Sequence, residues 1–176
     1  MESMNTIKKV DELGRIVLPK EIRRRLKIRN DDFLEIFIDN DLICLKKYSK
    51  IKSMKNFAQK LTDMLYSYTK KDILIADKCN IIAYTGEEKK KYIDKEISDK
   101  LLESINRRES IMQNHIKELE LIDKEIINCS YVMDTIISNS EYIGTIVMYS
   151  KDDMLSVHDM NVIKILSSFL SKYLED

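Results

Sequence analysis

The sequence predicts an α+β protein in two units, a small β-rich one over residues 1–50 and a larger antiparallel sheet flanked by helices over 51–176. Three observations predict it. The first fifty residues alternate short β-branched runs with polar turns around one helix-sized segment. Two stretches, 51–68 and 157–174, carry apolar residues at helical spacing. Between them lie pairs of strand-length apolar runs separated by three or four residues, the pattern of hairpins rather than of crossovers.

In the first unit, residues 6–10 alternate as a strand, Asp11-Glu12-Leu13-Gly14 supplies turn residues, and residues 15–18 form a β-branched second strand. Pro19, the only proline, opens a helix where its missing N–H costs nothing. Residues 20–26 form that helix, with Ile22 and Leu26 one turn apart as its buried face. Residues 33–38 and 42–47 flank Asp39-Asn40-Asp41, a polar loop of hairpin length. Four strands and one helix result. Phe33, Leu34, Ile36, Phe37 and Ile38 are apolar on both faces of one strand, more than a fifty-residue unit can cover by itself, so sharing strands with a second copy is expected.

In the second unit, Met54, Phe57, Ala58, Leu61, Met64, Leu65 and Tyr68 make a helical stripe, and no linker rich in Gly, Pro or Ser precedes it. Residues 72–77 and 81–85 around Lys78-Cys79-Asn80 read as a hairpin, residues 93–107 as a helix, and residues 131–137 and 142–149 as a second hairpin. The stretch 110–127 contains strand. Val157, Met160, Ile163, Leu166, Phe169, Leu170, Tyr173 and Leu174 form the apolar side of a closing helix, expected to lie beside the first and to offer a helix-bundle contact between subunits.

Several function classes are disfavoured. The chain has only three glycines, Gly14, Gly86 and Gly144, and lacks a phosphate-cradling loop, a nucleophile elbow and a metal-spaced set, so no catalytic residue, cofactor or metal is expected. Cys44, Cys79 and Cys129 are odd in number and widely spaced, reading as buried thiols, and His115 and His158 as ordinary surface or partly buried residues. Apolar runs are too short for a bilayer and no leader pattern stands at Met1, so a cytoplasmic location is expected.

Formal net charge is zero, but residues 1–50 hold 12 Lys or Arg against 9 Asp or Glu. Lys8 and Lys9 end the first strand, Arg15 starts the second, and Arg23, Arg24 and Arg25 follow one another on the helix. Successive helix positions turn by about 100°, so at least two of the three arginines face solvent. Such groups can neutralise phosphates, and an arginine fork can read guanine edges. They can equally be a solvated face, paired with Glu12, Glu21 or Asp31. Charge alone leaves both readings open.

The run Lys8-Lys9-Val10-Asp11-Glu12-Leu13-Gly14-Arg15-Ile16-Val17-Leu18-Pro19-Lys20-Glu21-Ile22-Arg23-Arg24 continues through Leu34-Glu35-Ile36 and Leu45-Lys46-Lys47-Tyr48-Ser49. Over about residues 4–50 it closely resembles the AbrB-type swapped-hairpin family of transition-state regulators, and the chain as a whole is similar to those members that add a GAF-like domain. The resemblance implies an interleaved dimer whose hairpins form one β-barrel on double-stranded DNA, and regulation, both activating and repressing, during spore formation. DNA contacts would fall on Lys8, Lys9, Arg15, Arg23 and Arg24. Position 8 is lysine where the family often has arginine, a point charge in place of a planar fork. A homotetramer through the terminal helices, and a small-molecule effector of unknown identity in the GAF-like domain, are further implications. A cavity beneath Tyr84, Tyr131 and Tyr142 is one place for such a molecule; plain core is the other reading of those tyrosines. The runner-up is an antitoxin-like module that uses the same N-terminal fold to neutralise a partner toxin, disfavoured by the periodic, hydrophobic character of residues 51–176.

Overall fold

The computed structural model describes residues 6–30 and 32–175, so Asp31, offered above as an arginine partner, lies outside the described residues. Two compact units part between Tyr48 and Ser49.

In the first, a tight turn closes where Gly14 N donates to Asp11 O (3.0 Å) and Asp11 N to Arg15 O (3.1 Å). Gly14 sits at φ 75°, a conformation that glycine adopts without strain. Helix α1 (Lys20–Arg25) follows Pro19, whose carbonyl accepts the first helical bond from Arg23 N at 3.0 Å. It ends in a Schellman closure: Lys27 takes φ 50°, Lys27 N donates to Arg24 O (3.2 Å) and Ile28 N to Arg23 O (2.7 Å). Strands β1 (Leu34–Asp39) and β2 (Leu42–Lys47) pair antiparallel across Asn40 and Asp41, at φ 43° and 64°, a two-residue turn of the type I′ kind that matches strand twist. Lys47 Nζ bonds Asp32 Oδ2 (2.9 Å) and Lys27 O (2.8 Å), which fastens the hairpin to the segment leaving α1.

Two expectations need correction here. Residues 6–10 and 15–18 join no ladder, because a strand exists only through its partner. Asp11–Arg15 is the one backbone rung between these arms among the described residues. Leu26 caps α1 and is exposed rather than buried, with Ile22 half-buried, since the described residues of this unit cover that face only in part. Indeed none of the described residues 6–48 is buried.

The second unit has a core of its own. Helices α2 (Lys50–Ser53) and α3 (Lys55–Thr69) replace the single helix expected over 51–68. The break at Met54 lets Ile51 turn into the sheet, where its Cδ1 stands 2.4 Å from where a Cβ on Gly144 would sit. The hairpin of β3 (Asp72–Asp77) and β4 (Ile81–Thr85) turns on Asp77, whose Oδ1 accepts from Cys79 N and Asn80 N, both at 2.7 Å. A short helix α4 (Lys89–Tyr92) follows. Helix was expected from residue 93, but Asp94, Lys95 and Ile97 bond the β3–β4 hairpin through Ile81 and Cys79, and helix α5 (Asp99–Asn106) starts only where Ser98 Oγ accepts from Leu101 N at 3.1 Å. Competing backbone partners thus remove six helical positions.

Strands β5 (Ile111–Ile122), β6 (Glu125–Ser138) and β7 (Glu141–Ser150) complete an antiparallel sheet in the order β4-β3-β7-β6-β5. The β6–β7 turn is Asn139-Ser140, at φ 51° and 64°. Helix α6 (Val157–Tyr173) opens with a capping box between Ser156 and Asp159. Both sheet faces are buried, so β3 and β7 read as continuous apolar runs. One face, through Ile73, Ile75, Val132, Ile146 and Met148, meets α2, α3 and α6. The other, through Leu74, Tyr84, Cys129, Val147 and Tyr149, meets α4 and α5. As expected, α3 and α6 lie side by side: Phe57 stacks on Tyr173 at 5.1 Å between centroids and meets Phe169 at 6.3 Å. Cys129 is buried, but Cys44 and Cys79 are only half-buried, since one sits on the uncovered hairpin and the other in a turn; all three are free. No helix among the described residues is long and apolar enough to cross a membrane.

Candidate nucleic-acid interface

Asp11 organises the turn that carries the first three basic residues. Its Oδ1 accepts from Leu13 N (3.0 Å) and Arg15 N (2.7 Å), while Oδ2 accepts from Arg15 Nε (2.7 Å). The Arg15 N–H and guanidinium hold the Asp11 carboxyl below its ordinary range. Lys9, Asp11, Glu12 and Arg15 line one concave surface with Val10 and Leu13. Lys8 is exposed on the arm leading into it. Arg15 pairs through Nε, yet its side chain is 71% exposed, so the remaining edge of the fork faces solvent.

Arg23 and Arg24 occupy the last turn of α1. Arg24 is exposed, whereas Arg23 is half-buried with an enclosed Nε that finds no acceptor among the described residues. The turn brings Lys9 and Arg15 together; α1 presents Arg23 and Arg24 separately, on successive azimuths. The acid that engages Arg15 is Asp11, not Glu12. In the sequence Asp11 reads only as a turn former, and its pairing with Arg15 follows from the turn itself. Among the basic residues outside the candidate set, Lys46 pairs across the hairpin with Glu35 at 2.6 Å and Lys47 with Asp32.

In the second unit Tyr84 is buried core. Its hydroxyl donates to Asp72 Oδ2 (2.8 Å), and the Tyr149 hydroxyl lies 2.8 Å from it. Burial above all pushes both phenols far above their ordinary range. Tyr131 and Tyr142 pack partly buried on the same cluster. Lys78 Nζ lies 4.3 Å from the Tyr142 ring centroid. Among the described residues no group of three or more His, Cys, Asp or Glu could hold a metal ion.

A family model described as stage V sporulation protein T C-terminal, transcription factor, matches residues 53–175. A second, described as antidote-toxin recognition MazE, bacterial antitoxin, matches residues 7–53. Stage V sporulation protein T of Bacillus subtilis (strain 168) is 36% identical over 178 residues, covering 99% of each chain. The transition state regulatory protein AbrB of the same organism is 54% identical over 48 residues, 27% of this chain and 50% of its own. The cofactor-binding GAF domain of the nutrient sensor CodY from Clostridium difficile superimposes with a TM-score of 0.51 at 12% identity, over 71% of this chain and 93% of that one. Type II free methionine-R-sulfoxide reductase from Thermoplasma acidophilum gives 0.53 at 14% identity, over 69% and 94%. At those identities the two structures establish the GAF-like fold and nothing of a ligand or an activity. An AbrB-like hairpin unit followed by a GAF-like unit defines a two-domain transcription regulator. The chain belongs to the stage V sporulation protein T family.

Proposed function

We propose that the chain acts in the cytoplasm as a dimeric reader of double-stranded DNA, activating some sporulation promoters and repressing others, with residues 1–50 as its DNA-binding domain and residues 51–176 as a sensing or tetramerising one. Lys8, Lys9, Arg15, Arg23 and Arg24 make the contacts. The observation that carries this reading is the N-terminal unit: no described residue in it is buried, and both its apolar and its basic side chains face outward. A unit of that size gains a core only by adding apolar area from a second copy. The two-fold that does so also doubles the basic set into one surface.

The test is salt dependence. Ten phosphate contacts per dimer give a slope of log affinity against log salt near about −9. Replacing Arg23 and Arg24 by alanine removes four of them and flattens the slope to about −5, with the dimer intact. An unchanged slope overturns the contact surface. The antitoxin match favours a second reading, but it is confined to residues 7–53. The toxin-binding tail that reading needs is a segment ordered only on binding, whereas residues 49–175 build two buried apolar clusters of their own. Co-purification of a stoichiometric small toxin would restore it.

A further inference from the structure

We infer that Asp11 is a positioning residue that sets the DNA specificity of Arg15, an inference that rests on the reading of Arg15 as a DNA contact. Three of its hydrogen bonds hold one loop. Two, from Leu13 N and Arg15 N, fix the backbone through Oδ1; the third, from Arg15 Nε, fixes the side chain through Oδ2. The two oxygens therefore do different work, one shaping the turn and the other aiming the guanidinium.

A guanidinium held at Nε presents its two Nη groups in one orientation, the arrangement that bidentate recognition of a base edge or a phosphate needs. An untethered arginine reaches any nearby phosphate and rewards every sequence alike. The carboxylate adds a second bias. It stands on the same concave surface as Lys9 and Arg15, with Glu12 beside it, so an approaching backbone phosphate meets negative charge as well as positive. Only a site that offers Arg15 its well-aligned partner compensates for that repulsion. Clamp and repulsion act in the same direction: both weaken binding to arbitrary DNA more than binding to the preferred site.

Asp11→Asn separates the two roles. The asparagine carbonyl keeps both backbone bonds at Oδ1, while the NH2 group that replaces Oδ2 is a donor facing the Nε–H donor, so the tether is lost and the turn stays. The experiment uses the full chain and two duplexes: one enriched by selection from a random pool with the unsubstituted protein, and a scrambled duplex of the same composition. Asp11→Asn is expected to bind the scrambled duplex several-fold more tightly, with a salt slope on that duplex that steepens by up to about 2, to the full ten-contact value, as the two arginines that the tether keeps from its phosphates are released to them. The preference for the selected duplex is expected to fall about tenfold, the scale of one good bidentate contact. If slope and preference both stay as in the unsubstituted chain while Arg15→Ala weakens binding, Asp11 only shapes the turn and the inference fails. If Arg15→Ala also binds normally, the contact reading fails with it.

Discussion

Lys71 Nζ lies 2.7 Å from Asp159 Oδ1, joining the residue before β3 to the first turn of α6 across 88 positions. Asp159 is 5% exposed and also accepts from Ser156 N and Oγ, each at 2.7 Å. Burial alone would raise its carboxyl; the bonds from Lys71 and Ser156 outweigh that and hold it below the ordinary value. A depressed carboxyl contributes stability above its unfolded pKa and loses it as pH falls through the lower folded value. Breaking a buried pair costs about 3–5 kcal/mol. Asp159 keeps its Ser156 donors, so Lys71→Ala is expected to cost nearer about 2 kcal/mol at neutral pH. Denaturant unfolding from pH 7 down to about pH 3 checks it, with the gap between the two proteins narrowing below about pH 4.

Gly144 lies where β7 runs between β3 and β6, paired with Asp77 and Ile136. A Cβ there would stand 2.1 Å from Ala76 O and 2.4 Å from Ile51 Cδ1. The isoleucine can move, but the carbonyl belongs to the sheet backbone and cannot. Gly144→Ala is therefore expected to destabilise the second unit by about 3 kcal/mol or more, toward the upper end of overpacking. Trimming Ile51 to alanine in the same chain should recover little of the lost Tm.

Much of this second unit was legible in the sequence. Residues 72–77 and 81–85 stood out because a polar loop interrupts two apolar runs at hairpin spacing, and Asp77 then supplies the turn. The terminal helices declared themselves by period. What sequence reasoning missed depends on partners far along the chain. Residues 93–98 carry helix-forming composition but meet Cys79 and Ile81 from a hairpin that precedes them. Residues 110–127 alternate poorly because β5 is an edge strand whose register slips between Gln113 and Lys117. Residues 6–10 and 15–18 are the opposite case, since their alternating pattern is clear and yet they join no ladder within the single chain. At the basic site, residue types were readable and the pairing was not: the i, i+4 relation of Asp11 and Arg15 acts across a turn, where helical spacing gives no warning of contact.

Tyr84 has one O–H, which donates to the Asp72 carboxylate, so Tyr149 must be the donor in the pair between the two phenols. The chain therefore runs Tyr149 to Tyr84 to Asp72 in one direction. Tyr149→Phe removes one bond and leaves Tyr84 satisfied, at a cost of about 1 kcal/mol. Tyr84→Phe strands the Tyr149 donor and strips the carboxylate as well, at a cost of about 2–3 kcal/mol. Both phenols have raised pKa values in the folded chain, as does Tyr92, pushed up to about 12 chiefly by burial. Their contribution is complete below the unfolded value near 10 and is lost as pH rises from there through the higher folded values. Absorbance titration should show these three phenolates appearing only as the chain unfolds; ionisation of all nine tyrosines near pH 10 with the fold intact would refute the buried chain.

The hairpin of the first unit makes the sharpest test of the dimer. Ile36 faces Leu45 and Ile38 faces Ile43 in the register, so all four share one face, and Ile36, Ile38 and Ile43 are 68%, 80% and 71% exposed. Covering such side chains stabilises by about 1.5–3 kcal/mol each, which a second subunit contributes only while it stays bound. Ile36→Asp places a charge on that face, and burying an unpaired carboxylate costs more than the site can return. The substituted chain is expected to lose the concentration-dependent part of its sedimentation that belongs to the N-terminal units and, with it, DNA binding. Glu35→Gln, one residue away on the opposite face of β1, alters charge without touching the face of Ile36 and Ile38 and should leave both intact. Retained dimer and DNA binding in Ile36→Asp would show that this face is not where the two subunits meet.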